Sequence, residues 1–357
     1  MNQQNNSYKV LGLMSGTSLD GLDLCLTEFK EINSRWTHEI LASETRKYTS
    51  DWERSLRNIE NKSAATLIEL DFSYGKLIGT LSLEFLHKHR LTADFISSHG
   101  HTIFHQIENG FTYQIGHGAA ISATTGLACI CDFRSLDVAL GGQGAPLVPF
   151  GDHHLFRTYT ACINLGGIAN FSFERKDERL AHDICAFNMV LNHFMKKYLN
   201  KEFDKDGALS RSGKLNASLF ESLNNLSFFS TKGPKSLGKE WVFLELIPLI
   251  EDSPIPLADK LCSFSHHAAE QISKILLANN FDQELLFTGG GSKNIFFIEL
   301  LRSKGLSFEL PKEELIDFKE ALVFAFLGLN RFLCRNNTFK TATGAAKDSC
   351  GGSIYLP

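Results

Sequence analysis

The chain has 357 residues, with 36 basic and 40 acidic side chains, so its formal net charge is −4. Its apolar fraction of 43% and charged fraction of 21% are close to globular averages, which excludes disordered, fibrous and coiled-coil proteins. The length predicts two domains of about 150 residues each, and the slightly acidic balance without a Lys/Arg run argues against nucleic acid or an anionic membrane as a partner.

The first third of the chain alternates between strand and helix patterns. Residues 8–13 and 22–29 predict two strands around a Gly-rich turn. Apolar side chains at intervals of three and four over residues 67–85 predict an amphipathic helix. Residues 93–98 then predict a buried strand that ends at His99-Gly100.

The rest of the chain continues this alternation. Residues 161–165 and 168–173 predict a second pair of strands around Gly166-Gly167. The remaining predicted elements are helices at 187–198 and 257–277, a strand at 285–288, a helix from about Lys293 and a helix at 320–334. Alternating strands and helices indicate a layered α/β protein with mixed sheets, and the two strand–turn–strand units suggest two related lobes.

The cysteines and the apolar segments indicate where the protein resides. Cys129 and Cys131 have an i, i+2 spacing that suits two inward positions of a strand better than a zinc site, so we expect buried free thiols. Residues 1–6 are polar, without the apolar core of a signal peptide, and no window approaches 18 consecutive apolar residues. We therefore expect a cytoplasmic protein that does not enter the membrane.

The first chemically informative segment is Leu-Met-Ser-Gly-Thr-Ser-Leu-Asp-Gly at residues 13–21, a turn between two strands. Gly16 allows backbone amides to converge, Thr17 and Ser18 add hydroxyl donors, and Asp20 can hold a cation. Together they fit a phosphate cradle with Mg²⁺. The segment is not a P-loop, because the G-x-x-x-x-G-K-[ST] pattern is absent. A plain hairpin turn is the alternative, since these are all turn residues.

Two further glycine turns follow the same logic. The turn at residues 164–170 has two glycines between apolar strands, which permit close approach of a ligand or simply a tight turn. The turn at 287–294 carries a triple glycine between strand and helix, where a flat base can pack on bare backbone and helix-start amides can meet an anion. Three such turns in order favour a nucleotide held between two lobes.

At this point the chain resembles a known family, the anhydro-N-acetylmuramic acid kinases. The resemblance extends from about residue 10 to the end, with the motifs in the family's order. The matching strings are Gly-Leu-Met-Ser-Gly-Thr-Ser-Leu-Asp-Gly at 12–21, Ser-His-Gly-His-Thr-Ile at 98–103, Asp-Phe-Arg at 132–134, Gly-Gly-Gln-Gly-Ala-Pro-Leu-Val-Pro at 141–149, the turn at Asn164, Asp206-Gly207, Lys235-Ser-Leu-Gly238, the triple glycine, Glu320-Ala321 and Thr343-Gly-Ala345.

The resemblance implies a two-lobed, actin-like α/β fold of the ribonuclease H type, with mixed sheets flanked by helices and a nucleotide cleft between the lobes. We expect lobe I at 1–133 plus 335–357 and lobe II at 134–334, since the C-terminal segment resembles one that returns to the N-terminal lobe. It also implies an enzyme that phosphorylates O6 of 1,6-anhydro-N-acetylmuramate with ATP and Mg²⁺ while water opens the anhydro bridge at C1, a step of cell-wall recycling.

The resemblance also assigns roles to residues. Arg134 would bind the lactyl carboxylate or a sugar oxygen, with a surface salt bridge as the alternative reading. Glu320 would contact the sugar, or else would only complement a helix dipole. The implied nucleotide contacts are Gly16, Thr17, Ser18, Leu19, Asp20, Gly21, Asn164, Gly166, Gly167, Gly289, Gly290, Gly291, Lys293 and Asn294, with Asp20 on the metal, and the implied sugar contacts are His99, Gly100, Arg134 and Glu320.

The catalytic base falls in the segment that departs furthest from the family. The family's base opens an Asp-Thr-Gly-Pro-Gly-Asn motif, and the matching string here is Asp183-Ile-Cys-Ala-Phe-Asn188. The resemblance implies that Asp183 is the base, although both glycines are replaced and Phe187 adds bulk. An Asp183 that merely caps the following helix is the alternative. Two further departures are His101, where the family has Gln, and His117, where many relatives carry Asp.

Two other functions stay open. The altered loop at 183–188 is compatible with a different anhydro-sugar, and the fold is compatible with an ATP-binding pseudoenzyme, although retention of both Asp20 and Asp183 argues against the latter. A metal site built from His99, His101 and His105 is disfavoured, because a strand that continues as Thr-Ile-Phe does not bring the three rings together. The expected partners are small molecules, and a homodimer is left open.

Overall fold

The computed structural model describes residues 7–16, 19, 21–230, 237–281 and 284–357. Its strands are β1 (Ser7–Ser15), β2 (Leu22–Ile32), β3 (Arg35–Arg46), β4 (Phe95–Gln106), β5 (Phe111–Ile115), β6 (Ala128–Cys131), β7 (Ala161–Leu165), β8 (Ile168–Arg175), β9 (Glu178–Ala186), β10 (Leu285–Thr288), β11 (Phe308–Glu309) and β12 (Ser353–Tyr355). Its α-helices are α1 (Ser50–Arg57), α2 (Ala64–His89), α3 (Gly118–Thr125), α4 (Ser135–Ala139), α5 (Val148–Leu155), α6 (Asn188–Leu199), α7 (Ala208–Ser212), α8 (Ala217–Asn224), α9 (Ser227–Ser230), α10 (Lys239–Trp241), α11 (Ile247–Glu251), α12 (Leu257–Ala278), α13 (Ile295–Ser303), α14 (Glu313–Phe332) and α15 (Lys340–Thr343).

The chain divides into two compact units, which we call unit 1 and unit 2. Unit 1 comprises Met1–Phe156 with Phe318–Pro357, and unit 2 comprises Arg157–Asp317. The expected boundaries at 133/134 and 334/335 differ from these. The reason is packing: the backbone of Gly151 in α5 is so close to Val323 in α14 that a Cβ would lie 2.5 Å from the Val323 Cγ2. Both helix segments therefore belong to unit 1.

Unit 1 is built on a mixed sheet. Within the described residues its strands run in the order β12-β6-β4-β1-β2-β3, and β5 pairs with β4. Strands β1, β4 and β6 are parallel, whereas β2 and β3 continue from β1 as an antiparallel meander. The parallel pairing brings the end of β1 beside the middle of β4, with Ser15 opposite His101. That edge carries the first glycine turn.

Helix α14 packs closely on this sheet because two glycines remove side chains at the contact. A Cβ on Gly12 of β1 would lie 2.1 Å from the Ala321 carbonyl oxygen. A Cβ on Gly328 of α14 would lie 2.3 Å from Ser97 Oγ. Ser97 also donates to the Phe324 carbonyl at 2.5 Å. The middle of α14, which includes Glu320, is thereby fixed against the central strands of unit 1.

Unit 2 repeats the strand arrangement of unit 1. Within the described residues the order is β11-β10-β7-β8-β9, in which β7, β10 and β11 are parallel and β8 and β9 form an antiparallel meander from β7. This corresponds to β6-β4-β1-β2-β3 of unit 1. The interpretation of two related strand–turn–strand units is therefore confirmed at the level of topology, as is the α/β class with mixed sheets.

Several element predictions are correct, and the differences have local causes. Strand β10 matches its predicted range, and α12 differs from its predicted range by one residue. Strand β4 does not end at His99-Gly100: it continues to Gln106, because Gly100 has a φ of +73° and lets the strand bend rather than stop. Helix α14 begins seven residues before the predicted start at Glu320. The third strand of each meander, β3 and β9, was not predicted.

The cysteines are free, as expected, but not all of them are buried. Cys129 and Cys131 lie on β6 as predicted, with Cys129 buried and Cys131 half-buried. Cys350 is also half-buried and Cys334 is exposed, so the expectation of burial is wrong for three of the eight. No helix in the described part of the chain is long and apolar enough to cross a membrane.

A buried histidine in unit 2 makes stability depend on pH. His267 of α12 is fully buried, its Nδ1 lies 2.8 Å from Asn224 Oδ1, and burial lowers its pKa to about 3. Between that value and the unfolded pKa of about 6.5, the unfolded chain binds a proton that the folded protein does not. The contribution of His267 to the free energy of unfolding is therefore retained above pH 6.5 and is lost as the pH drops. At pH 5 the loss from this one group is about 2 kcal/mol.

We expect His267→Gln to remove that part of the pH dependence, because a Gln amide can still donate to Asn224 but does not titrate. The measurement is the free energy of unfolding from urea titrations at pH 7 and pH 5 for both proteins. If wild type and variant lost the same free energy between the two pH values, a neutral buried His267 would be excluded.

Candidate active site

The first glycine turn joins β1 to β2, as predicted. Gly16 and Leu19 form a tight turn in which the Leu19 amide donates to the Gly16 carbonyl at 3.2 Å. Gly21 has a φ of +155°, and a Cβ there would lie 2.5 Å from the Arg46 carbonyl oxygen, so β3 excludes any side chain. Thr17, Ser18 and Asp20 lie outside the described residues, and their assigned contacts remain predictions.

A buried chain of hydroxyl groups supports the end of β1 directly before this turn. Tyr48 donates to Ser15 Oγ at 2.8 Å, and its hydroxyl lies 2.5 Å from that of Tyr74. Ser15 Oγ is 3.1 Å from Nδ1 of His101, whose pKa burial lowers to about 4. A neutral His101 can accept a hydrogen bond from Ser15 Oγ.

Arg134 forms the centre of the candidate sugar site in unit 1. Its Nε donates to His99 Nε2 at 3.0 Å, and its Nη1 donates to the Gly144 carbonyl at 2.7 Å. His99 in turn holds its Nδ1 2.9 Å from the Gly100 carbonyl, which leaves Nε2 as the acceptor. The hydrogen-bond partners of Arg134 are thus a ring nitrogen and a carbonyl, and not a surface carboxylate as the salt-bridge alternative requires.

Burial lowers the pKa of both Arg134 and His99, but only His99 is neutral at neutral pH. Loss of hydration lowers the pKa of Arg134 to about 10, opposed by the carboxylates of Glu320 and Asp137, so the guanidinium stays protonated at neutral pH. Burial, reinforced by the Arg134 charge, lowers the pKa of His99 well below its usual value and keeps that ring neutral. A fixed cation beside a neutral acceptor is suited to holding a carboxylate.

Glu320 lies on α14, two turns after its first residue, with Glu313 and Glu314 in the first turn. The helix-dipole alternative for Glu320 is therefore wrong. Crowding by protein raises its pKa, while Arg134 and Lys319 act in the opposite direction. Its side chain nevertheless stays exposed to solvent, so it is accessible to a ligand. The preceding residue, Lys319, is buried and paired with Asp152 at 2.7 Å, which fixes this turn of the helix.

His105 and His117, two further histidines singled out in the sequence, have separate partners in unit 1. His105 Nδ1 lies 3.1 Å from Thr112 Oγ1. His117 precedes α3, accepts from the Ala119 amide at 3.3 Å and stacks on Phe72 at 4.1 Å between ring centroids. An imidazole thus caps this helix, a role that an Asp side chain also fills well. A cavity of about 200 Å³ lies between His99, His117 and Tyr355 in unit 1.

Asp183 lies on strand β9 of unit 2, next to a register shift between Ala169 and Asn170 of β8. Helix α6 begins at Asn188 after Phe187, so Asp183 does not cap it and that alternative is wrong. The Leu237 amide donates to Asp183 Oδ2 at 2.8 Å. This bond orients the carboxylate.

The ring of Phe187 is packed in the core of unit 2. Its ring is fully buried and lies 4.1 Å from the Phe297 ring between centroids. Its amide donates to the Gly167 carbonyl at 2.8 Å, and the Asn188 side chain donates to the Leu165 carbonyl at 3.1 Å. The departure from the family motif at Phe187 therefore fills the core of unit 2 rather than the site.

The second and third glycine turns converge in unit 2. Gly289 has a φ of +82°, and a Cβ there would lie 2.4 Å from Asn164 Oδ1. A Cβ on Gly291 would lie 2.4 Å from Phe187 Cε1 and 2.8 Å from the Leu165 carbonyl. The turn at 164–168, the segment at 183–188 and the triple glycine are thus in contact within unit 2.

Lys293 and Asn294 take structural partners. Lys293 Nζ lies 2.7 Å from Glu313 Oε1 and 2.8 Å from Asp317 Oδ2, and Asn294 caps α13 by accepting from the Phe297 amide at 3.0 Å. The Asp206-Gly207 motif packs on the same Asn294, because a Cβ on Gly207 would lie 2.2 Å from its Oδ1. Nucleotide contacts of Lys293 and Asn294 remain predictions.

The triple glycine offers a matched pair of substitutions. Gly291→Ala should lose about 1–3 kcal/mol of stability, because its methyl overlaps Phe187 and the Leu165 backbone. Gly290→Ala should keep wild-type stability, since its Cβ would meet only Asn188 Nδ2 at 4.0 Å, but should weaken ATP binding if bare backbone holds the base. Urea unfolding and ATP titration calorimetry measure the two effects. Equal stability loss in both variants would contradict this assignment.

The chain is similar to known proteins over nearly its whole length. The family model of anhydro-N-acetylmuramic acid kinases matches residues 8–357. Proteins of that name are 32% identical in Vibrio cholerae serotype O1, over 97% of this chain and 98% of the relative, and 34% identical in Clostridioides difficile strain 630, over 96% and 97%. Among solved structures, an ADPNP-bound activator of 2-hydroxyisocaproyl-CoA dehydratase from C. difficile aligns over 91% of this chain and 97% of its own, at 14% identity and a TM-score of 0.44, too loosely to support an inference. From residue 8 to residue 357, the chain belongs to the anhydro-N-acetylmuramic acid kinase family.

Proposed function

We propose that this protein transfers the γ-phosphoryl group of ATP to O6 of 1,6-anhydro-N-acetylmuramate while water opens the anhydro bridge. The products are N-acetylmuramate 6-phosphate and ADP. The observation that carries the proposal is the family match over residues 8–357, with the motif residues in order along the chain. The use of ATP is consistent with a reaction in the cytoplasm.

The chemistry requires one base and one phosphoryl acceptor. Asp183 takes a proton from water, the water oxygen bonds to C1, the C1–O6 bond breaks, and O6 takes the phosphoryl group from ATP. The step parallels inverting glycoside hydrolysis, in which a carboxylate activates water on the face opposite the departing oxygen. Phosphoryl transfer replaces protonation of that oxygen, so no separate acid is needed. The bond from the Leu237 amide keeps the carboxylate oriented for this role.

Binding of the sugar is assigned to unit 1. The guanidinium of Arg134 is held by His99 and the Gly144 carbonyl, and we propose that it binds the lactyl carboxylate. Glu320, exposed on α14, is assigned to a sugar hydroxyl or amide, which a carboxylate can accept from. The turns around Gly16, Gly166 and Gly290 are assigned to ATP, because the glycines in them have no side chain and let the backbone come close to a ligand.

Mg²⁺ belongs to the proposal through Asp20, which lies outside the described residues. Among the residues that are described, no group of three His, Cys, Asp or Glu side chains could hold a metal ion. A carboxylate together with phosphate oxygens is the ligand set that Mg²⁺ prefers. Bound with ATP, the ion would neutralise charge on the phosphates during transfer.

The test is a turnover assay with Mg-ATP and a panel of anhydro-sugars. We expect ADP and a 6-phosphorylated reducing sugar with 1,6-anhydro-N-acetylmuramate, and less turnover with 1,6-anhydro-N-acetylglucosamine, which lacks the lactyl carboxylate. Absence of ADP above background with every sugar would favour the pseudoenzyme. Turnover of another anhydro-sugar alone would show that this other sugar is the substrate. The burial of Phe187 removes one reason to expect such a change of sugar.

A further inference from the structure

One buried carboxylate of unit 1, Asp137, has no role in the function proposed so far. It lies on the short helix α4, three residues after Arg134, and is fully buried. Its Oδ1 accepts from Thr343 Oγ1 and its Oδ2 from the Gly144 amide, both at 2.7 Å. A buried charge is costly unless it is hydrogen-bonded, and here each carboxylate oxygen has a partner.

The loop that follows α4 is built around this carboxylate. The Gly142 amide donates to the Asp137 carbonyl at 2.9 Å, and a Cβ on Gly142 would lie 2.3 Å from Asp137 Oδ2. On the far side, the Gln143 amide donates to the Thr343 carbonyl at 2.8 Å. The loop at 141–144 and the turn at Thr343 are therefore tied to one another through Asp137.

Asp137 and Arg134 meet through the peptide groups on the two sides of Gly144. The amide of Gly144 is held by Asp137, and its carbonyl accepts from Arg134 Nη1. With Nε bonded to His99, two points of the guanidinium are fixed, and among the described residues none accepts from Nη2. The planar fork is thus held in one orientation with one edge available to a ligand.

We propose that Asp137 is a positioning residue that holds the Gly144 carbonyl and so aims the Nη2 edge of Arg134 at the substrate carboxylate. The inference rests on the proposed function, because it takes the lactyl group as the ligand of Arg134. A merely structural Asp137 would support the fold of the loop without affecting sugar binding in particular.

The first test is kinetic. In Asp137→Asn one oxygen becomes an NH₂ group that faces a donor, so the KM for the anhydro-sugar should rise about tenfold, with kcat and the KM for ATP within about twofold of wild type. Thr343→Val removes the hydroxyl at nearly constant shape and should raise the same KM more than Thr343→Ser, which keeps the hydroxyl. An unchanged sugar KM in Asp137→Asn, or equal rises in both KM values, would overturn the inference.

A double-mutant cycle separates positioning from a general loss of structure. If Asp137 acts through Arg134, then Asp137→Asn should change the sugar kcat/KM less than about twofold in an Arg134→Lys background. The same tenfold loss in both backgrounds would contradict an action through Arg134.

A second readout does not depend on activity. With ¹⁵N-arginine labelling, the Arg134 Nε–H, assigned by its loss in Arg134→Lys, should exchange slowly with solvent in wild type because it donates to the buried His99. In Asp137→Asn we expect exchange at least about tenfold faster. Unchanged exchange would overturn the inference. A wild type that failed to phosphorylate the sugar would by itself refute only the proposed function, and the exchange measurement would still decide the inference.

Discussion

Replacing Asp183 with asparagine is expected to lower kcat by about 10²–10⁴-fold, the range that a general base contributes. An amide cannot take the proton of the attacking water, although its oxygen can still accept from the Leu237 amide, so the local structure should be kept. The KM for the sugar and the affinity for ATP should change by less than about threefold, because the ground-state contacts are retained. Steady-state rates of ADP formation with saturating anhydro-sugar measure the effect.

The matched control for this variant is ATP hydrolysis without sugar. If Asp183 acts only on the water that attacks C1, this background rate should be equal in wild type and Asp183→Asn. Turnover of the sugar at a normal rate by Asp183→Asn would show that another group is the base. A loss of ATP binding would show instead that Asp183 acts on the nucleotide.

Arg134→Lys is expected to raise the KM for the anhydro-sugar by about 10- to 100-fold with a smaller change in kcat, since a hydrogen bond to a charged group is worth about 1.5–3 kcal/mol. Lysine keeps the charge but cannot donate simultaneously to His99, to the Gly144 carbonyl and to a carboxylate in one plane. Initial rates against sugar concentration at saturating ATP measure this change.

The comparison substrate sharpens the assignment of Arg134. For 1,6-anhydro-N-acetylglucosamine, which has no lactyl group, Arg134→Lys should cost much less than for the muramyl sugar. An equal loss of kcat/KM with both sugars would mean that Arg134 contacts a group that they share. An unchanged KM for the muramyl sugar would remove Arg134 from the binding site.

The sequence predicts most of the elements that present the candidate site, because their signals are local. Apolar runs on either side of the turns at Gly16 and Gly166 predict β1–β2 and β7–β8, and the spacing of apolar residues predicts α2 and α12. Motif resemblance adds the assignment of Asp183 and Arg134. Each of these features depends on residues within one short segment.

What the sequence does not predict depends on packing between distant segments. Asp183 lies on a strand and not at a helix start, because β9 pairs along β8 and its apolar residues enter the core of unit 2. Phe187 resembles an obstruction in the motif, yet its ring packs on Phe297. Neither the strand position of Asp183 nor the packing of the Phe187 ring can be derived from local spacing, since a buried strand and a helix start have similar apolar content.

Asp137 illustrates the same limit within the site itself. Its only local signal is a polar residue in a short helix close to Arg134, which is typical of many surface helices. Its partner Thr343 is 206 residues away in sequence. A buried polar residue of this kind is found by asking where its hydrogen bonds go once the structure is known.

The anomeric form of the first product tests the central claim most directly. A 1,6-anhydro bridge occupies the β face at C1, so water activated by Asp183 on the opposite face must give the α anomer. We therefore predict that ¹H and ³¹P NMR of a reaction with Mg-ATP first shows the α anomer of N-acetylmuramate 6-phosphate, followed by mutarotation. The β anomer as the first product, or ADP without a sugar phosphate ester, would contradict the account.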